Sequence, residues 1–292
     1  MNRPAIRMDR AQRGFGLLEL MVTLVVGAAV LAGIMSTFFQ SSRHAARLTD
    51  VADARQNART AIQLIEREIR MAGSGWGRVD IFCNTGGGVG DTLLAVNPGF
   101  ANDGSDSLVL VGAWQAQTLL LSDMATVSSQ TRVMNNSGFR NGDLFILTNG
   151  TSRSHMLLCT GTAGSDVIQH SLTSPFNGAT STMTATWPPT GGYPDTVTSV
   201  YKATITSYYL DETSFRKPVL MRREFGSTPQ VVAYGVTGFR VWYQMQDGTW
   251  TRNPGNMALV DKVSPVVFTS VPDPRRPTLR DSVWAAVQPR TF

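Results

Sequence analysis

Hydrophobic and polar positions divide this chain into three stretches. From Phe15 to Phe39 the sequence runs 25 residues with Glu19 as its only charge. As a helix rising 1.5 Å per residue, such a run spans about 37 Å, more than a hydrocarbon core of roughly 30 Å. After Ser41, apolar or small residues recur every three or four positions, at Ala45, Leu48, Val51, Ala58, Ile62, Ile65 and Ile69, broken where Arg55 falls. That spacing predicts an amphipathic helix with one buried face, and pairs such as Arg47–Asp50 and Glu66–Arg70 give modest surface support. No proline lies between Pro4 and Pro98, and helix-ending glycines cluster at Gly73, Gly75 and Gly77. One helix from Phe15 to about Ala72 is predicted, 58 residues and about 87 Å long.

From Ser74 the period changes to short alternating or β-branched runs between turn formers. Strands are predicted at Ser107–Trp114, Asp143–Thr148, His155–Thr160, Val197–Leu210, Pro218–Phe225, Val231–Val236 and Phe239–Met245. Asn149-Gly150 and Asp247-Gly248 read as turns, while Asn84–Asp91, Gly191–Pro194 and the proline-rich Val271–Pro277 read as loops or turns. The pattern predicts an α+β fold in which an antiparallel sheet packs on the second half of the long helix.

Composition changes the picture in two places. The chain carries a formal net charge of +5, but residues 1–14 hold +3 and residues 41–72 hold +2, so the remainder sums to zero. That leaves no basic excess for a phosphate backbone, and no specific nucleic-acid partner is expected. The two cysteines, Cys83 and Cys159, both follow the apolar run. An oxidising compartment permits a disulfide between them, and two buried free thiols fit the sequence equally well.

Chemistry-bearing patterns are sparse. The histidines His44, His155 and His170 form no H-E-x-x-H, and no C-x-x-C, G-x-S-x-G or Walker A pattern occurs. The glycine-rich Asn84–Asp91 lacks the lysine of a phosphate loop, and Asn102–Asp106 lacks the length and closing glutamate of an EF-hand. No enzyme activity, cofactor or metal is expected. The six tryptophans are expected mainly in the core or on sheet faces, although one exposed at a tip could meet a partner.

Glu19 separates three readings of the opening segment. A plain membrane anchor explains its length and, through the basic leader, its orientation, but not the carboxylate. A secretory signal peptide ending at Val30-Leu31-Ala32 leaves apolar residues beyond the cut and a charge at the head of its core. The third reading places the cut between Gly14 and Phe15, so that Glu19 becomes the fifth residue of the product. This pattern, Gly14-Phe15-x-x-x-Glu19 after basic residues and before about 20 apolar ones, resembles the signal of type IV prepilins and pseudopilins. Arg67-Glu68-Ile69-Arg70-Met71-Ala72-Gly73, followed by glycines and Cys83, is similar to the helix end of PilW-type minor pilins. The likeness covers about residues 10–75. Many major pilins carry a proline midway along the apolar run, and none is present here.

The resemblance implies a type IV pilin-like fold. Residues 1–14 are a leader removed by prepilin peptidase, 15–40 the membrane-spanning and filament-core half of the helix, 41–73 its amphipathic half, and 74–292 an exported β-rich head. Phe15 is the expected site of N-methylation. Cleavage creates an α-amino group at Phe15 in or near the apolar zone, and Glu19 supplies its countercharge within this subunit or a neighbour, setting axial register. The implied function is initiation of pilus assembly in a minor-pilin tip or priming complex, supporting motility, adhesion or DNA uptake. The implied partners are other minor pilins, the major pilin, the inner-membrane assembly platform, the lipid bilayer and a tip adhesin. The chain would wait in the inner membrane with a cytoplasmic N-terminus and then move to the pilus at the cell surface. A J-type pseudopilin of type II secretion is the nearest alternative. A membrane-anchored periplasmic enzyme or binding protein is a more distant one.

Overall fold

In the computed structural model the described residues are 16–76, 81–83, 91–100, 106–113, 115–124, 130–150, 154–171, 174, 176–177, 192–213, 215, 218–270 and 280–289. Gly14, Phe15, the loop 84–90, residues 102–105, Trp114, Trp187 and the segment 271–277 named above lie outside them. The chain forms two units, residues 1–52 and 53–292.

One helix, α1 (Leu17–Met71), runs for 55 residues, within two residues of the predicted ends. From Gly16 to Asp50 the chain is solvent-exposed, with Leu17 at 80% and Phe39 at 57%. Burial begins late in the predicted amphipathic stretch. Leu48 is still 69% exposed, whereas Ala58, Ala61, Ile62, Ile65 and Ile69 are buried. The helix stops where Gly73 enters the left-handed region at φ 77° and its N–H donates to the Val111 carbonyl at 3.0 Å. Gly75, at φ 108°, passes so close to the next strand that a Cβ would stand 2.8 Å from the Ala113 carbonyl oxygen. Only glycine fits this joint.

Among the described residues the second unit holds three sheets. The largest has ten strands: β1 (Ile81–Cys83), β2 (Asp91–Leu93), β3 (Val96–Phe100), β4 (Asp106–Gly112), β5 (Gln117–Leu119), β7 (Leu144–Thr148), β8 (Ser154–Leu158), β11 (Ser199–Asp211), β12 (Val219–Glu224) and β13 (Gln230–Tyr234). A small sheet joins β6 (Gln130–Arg132), β10 (Val167–Gln169) and β9 (Gly161–Ala163) in that order. The third runs β15 (Trp250–Thr251), β14 (Val236–Met245), β16 (Val260–Ser270) and β17 (Arg280–Trp284). All pairings in the described residues are antiparallel except β1 with β8.

The 13-residue β11 is the spine. Ser199–Tyr201 pair with β5, Ser199–Ala203 with β7, Thr204–Tyr208 with β4 and Thr206–Asp211 with β12. The central strands β7 and β8 are buried on both faces, which is why Leu144–Thr148 reads as an unbroken apolar run rather than an alternation. Leu144 and Ile146 join α1, Leu108, Tyr208, Phe239 and Val263 in the main core. Phe145 and Leu147 join Leu120, Leu157, Cys159, Ile168 and Tyr193 in a second core.

Two expectations are corrected. Of the loop predicted at Gly191–Pro194, the described residues 192–194 are not open to solvent. Tyr193 is fully buried, bridges Met124 in an antiparallel pair, and places its hydroxyl 2.6 Å from His155 Nδ1. The second core, which no local pattern announces, closes over it. The 11-residue β16 has no counterpart among the predicted strands because Pro265 interrupts its pattern. Val263 pairs with Val287 and Val266–Ser270 with β17 in one continuous register, so Pro265 falls opposite Ala285, where the ladder has a gap. The missing N–H of proline is tolerated at that gap.

His170 belongs to the second core's rim, with Nε2 2.8 Å from Thr131 Oγ1 and its ring against Phe145. Burial pushes its pKa down from 6.5 to about 4, so the native imidazole is neutral. The unfolded chain takes up this proton below pH 6.5 and the native one only near pH 4. The stabilisation is therefore complete above 6.5, is lost as pH falls from 6.5 to 4, and is flat below that, for a total of about 3 kcal/mol. In urea titrations across this window, His170→Gln is expected to flatten the wild-type fall in stability by that amount. An unchanged slope would remove His170 as the cause.

Candidate functional site

The candidate site is the start of α1. Gly16 opens the helix, and its carbonyl accepts the N–H groups of Glu19 at 2.9 Å and Leu20 at 3.2 Å. Glu19 lies in the first turn, where the unpaired N–H groups of a helix favour a carboxylate. One turn on, the Thr23 hydroxyl donates to the Glu19 and Leu20 carbonyls at 2.9 Å, so a polar side chain within the apolar run is satisfied inside the helix. Thr37 repeats the device, donating to Gly33 at 3.2 Å and Ile34 at 2.8 Å. Both threonines of the run thus have an internal solution. The Glu19 carboxylate, its one charged group, has no partner among the described residues.

The surface around Glu19 is apolar and uncovered. No part of the membrane-capable stretch of α1 is buried within this chain. Gly16, Gly27 and Gly33 face open space, since a Cβ at any of them would meet nothing within 4 Å. In water, Gly27 and Gly33 only weaken the helix. Next to another helix, or in a bilayer, they permit close approach. A helix that leaves its whole apolar circumference open, with one acid near its beginning, can lie in a lipid phase or pack against several like helices.

Of the other residues singled out in the sequence, Glu19 alone belongs to this region within the described residues. Cys159 is a free, buried thiol whose S–H donates to the Gly161 carbonyl at 3.2 Å, and burial pushes its pKa up. Cys83 lies in β1, and its side chain is outside the described residues. His44 is exposed on α1, whereas His155 and His170 are buried. No group of three or more His, Cys, Asp or Glu side chains that could hold a metal ion occurs among the described residues.

The sequence pattern missed a second charged cluster, which anchors α1 to the sheet. Glu68 is 9% exposed. It accepts a hydrogen bond from the Tyr208 hydroxyl of β11 at 2.7 Å and from Arg222 Nε of β12 at 3.0 Å. Burial and the adjacent carboxylate push the Tyr208 pKa well up, so the phenol remains a donor. The signal was present: Glu68 lies one turn from Ile65 and from Ala72, on the stripe that otherwise carries only apolar or small residues. A similar clamp joins two sheets. Asp106, 2% exposed at the head of β4, accepts the Val241 N–H of β14 at 2.8 Å and pairs with Arg252. The oxygen-rich segment before Leu108 thus ends in a carboxylate already satisfied by protein donors.

Comparison with known families matches residues 9–35 to the family described as the prokaryotic N-terminal methylation motif. No curated protein matches the chain. The matched stretch contains the Gly14-Phe15 junction, Glu19 and most of the exposed apolar helix. It supports a type IV pilin-like or pseudopilin-like protein, with processing by prepilin peptidase and an apolar helix suited to anchorage in the inner membrane.

Proposed function

We propose that this chain is a minor pilin of PilW type that helps to initiate type IV pilus assembly. Prepilin peptidase cuts after Gly14 and methylates the new N-terminus at Phe15. The subunit then waits in the inner membrane with α1 across the bilayer. It leaves by docking α1 into a bundle of like helices, where Glu19 pairs with an N-terminal amine. The reading is one of assembly rather than catalysis. Its partners are other minor pilins, the major pilin, the inner-membrane platform and a tip adhesin, and its end point is the pilus at the cell surface.

One observation carries the reading: a single carboxylate, without a partner among the described residues, is the fifth residue beyond the Gly14-Phe15 junction, in a helix whose apolar stretch is exposed. A buried amine or carboxylate alone is costly in an apolar medium, and together they offset much of that cost. The large β-rich head, the absence of a mid-helix proline and the Arg67–Gly73 helix end favour a minor subunit over the main filament subunit. A J-type pseudopilin shares the same signal and helix. Deletion separates the two, through loss of pili in one case and loss of protein secretion in the other.

Processing is tested by N-terminal sequencing and intact mass of the mature chain. The expected product begins at methylated Phe15, and Gly14→Ala is expected to leave most of the chain unprocessed. A product beginning near Gly33 would identify an ordinary signal peptide and end the proposal.

A further inference from the structure

The sheet β15-β14-β16-β17 buries one face and leaves the other open. Phe239, Val241 and Tyr243 of β14 point into the main core with Val263 and Val267 of β16. The register puts Arg240, Trp242 and Gln244 on the opposite face, with Trp250 across from Gln244 and Trp284 across from Val266, itself across from Arg240. Trp242 is 40% exposed, Trp250 44% and Trp284 65%. Half of the chain's six tryptophans therefore stand on one solvent-facing sheet surface, where water is a poor environment for indole.

Their order follows from the pairing. Trp250 and Trp242 are diagonal neighbours, about 8 Å apart. Trp242 and Trp284 are two strands and two residues apart, about 12 Å. The three indoles make a diagonal row across a sheet, with Gln244 and Arg240 flanking Trp242 along β14 and Ser264 and Val266 of β16 in the gap before Trp284. Among the described side chains, the charges that the pairing places on this face are positive. Arg240 projects beside Trp242, and Lys262 lies across from Gln244. Of the neighbouring carboxylates, Asp261 accepts from Gln288 Nε2 at 3.0 Å and makes only a long, solvent-accessible ion pair of 3.9 Å with Lys262, while Asp247 accepts from Thr249.

We propose that this face binds an acidic polysaccharide. A pyranose ring offers an apolar C–H face that stacks on indole and a polar edge that reaches donors such as Gln244. Its carboxylates pair with Arg240 and Lys262, and a linear chain of such rings runs along the row Trp250–Trp242–Trp284. The charge match selects an anionic polymer. A protein interface gathers its aromatic anchors at one desolvated centre, whereas here they are spaced in a row with donors beside them. Single-stranded nucleic acid brings a phosphate with every nucleotide, and two cations do not form a backbone-tracking groove. The proposal requires only that the head be exported and is independent of the pilus reading.

The test uses the full chain, purified in detergent, with polygalacturonate as probe, read by indole fluorescence and by retention on the immobilised polymer. Fully methyl-esterified polygalacturonate and oligo(dT) are run beside it. Binding to polygalacturonate is expected to weaken about tenfold or more in Trp284→Ala, in Arg240→Gln/Lys262→Gln and on esterification of the ligand. The unfolding midpoint of both variants is expected to stay at the wild-type value, since these side chains project to solvent. Equal binding of the ester, tighter binding of oligo(dT), no binding at all, or self-association abolished by Trp284→Ala each overturns it. A chain that begins at Phe15 but ignores the polymer overturns only this inference, whereas one that binds but begins near Gly33 overturns only the pilus reading.

Discussion

Cells in which Glu19→Gln replaces the native chain are expected to process the protein after Gly14, hold it in the inner membrane at normal levels, and assemble roughly tenfold fewer filaments or none. The substitution keeps the shape and polarity of the side chain and removes only its charge. The helix does not need that charge, because Glu19 is exposed and contributes its backbone, not its carboxylate, to the first turn. A neighbour's ammonium does need it. Leaving that ammonium without a counter-ion in an apolar bundle costs several kcal/mol, and each 1.4 kcal/mol is a factor of ten in the equilibrium for docking. The measurement is shed-filament yield together with immunoblots of membrane and filament fractions. Abundant filaments that still contain the variant would show that no such pair forms. Glu19→Asp, which restores the charge on a shorter stem, is expected to recover part of the yield.

In the head, Glu68→Ala is expected to remove about 3 kcal/mol of stability, because it strands two partners at once. It leaves Arg222, with only a fifth of its side chain exposed, with only the longer 3.5 Å contact to Glu224, and the Tyr208 hydroxyl without its carboxylate acceptor. Tyr208→Phe removes one hydrogen bond and is expected to cost about 1 kcal/mol. Glu68→Leu combined with Arg222→Met replaces the ion pair by apolar groups and is expected to recover most of the loss. Urea unfolding of the three variants decides the matter. If the double variant is as unstable as Glu68→Ala, the clamp's contribution is packing and not charge.

The sequence reveals features that depend on neighbours along the chain and hides those that depend on distant ones. The helix was legible because apolar period, absence of proline and a glycine-rich end agree over more than 50 residues. Strands β4, β7, β8, β11, β12, β13 and β14 were legible for the same local reason. Most of the missed strands are only two to five residues long, as at Gln117–Leu119 or Gly161–Ala163, too short for an alternation to register. Glu68 stood on its stripe as an anomaly, but its partner is 154 residues away, and no spacing rule connects them. The open tryptophan face was invisible for a similar reason. Trp242, Trp250 and Trp284 come together only through the pairing of β14, β15, β16 and β17. At the start of α1 the position is reversed. The residues that matter are consecutive, so Glu19 could be singled out without any structure.

The spine strand has a consequence for how the protein is made. Residues 199–211 take their places between segments that precede them by up to about 100 positions and a hairpin partner ending at Glu224. The main core that holds the apolar residues of α1 also includes residues later still, from Val236 to Val287. A head threaded across a membrane from its N-terminal side would emerge with its earliest strands lacking their central mate, and they would stay without it until roughly seven-tenths of the polypeptide had been made. Such a nascent head is open to proteases and to periplasmic holding factors during that interval. Maturation is then governed by completion of translocation rather than by step-by-step folding along the way.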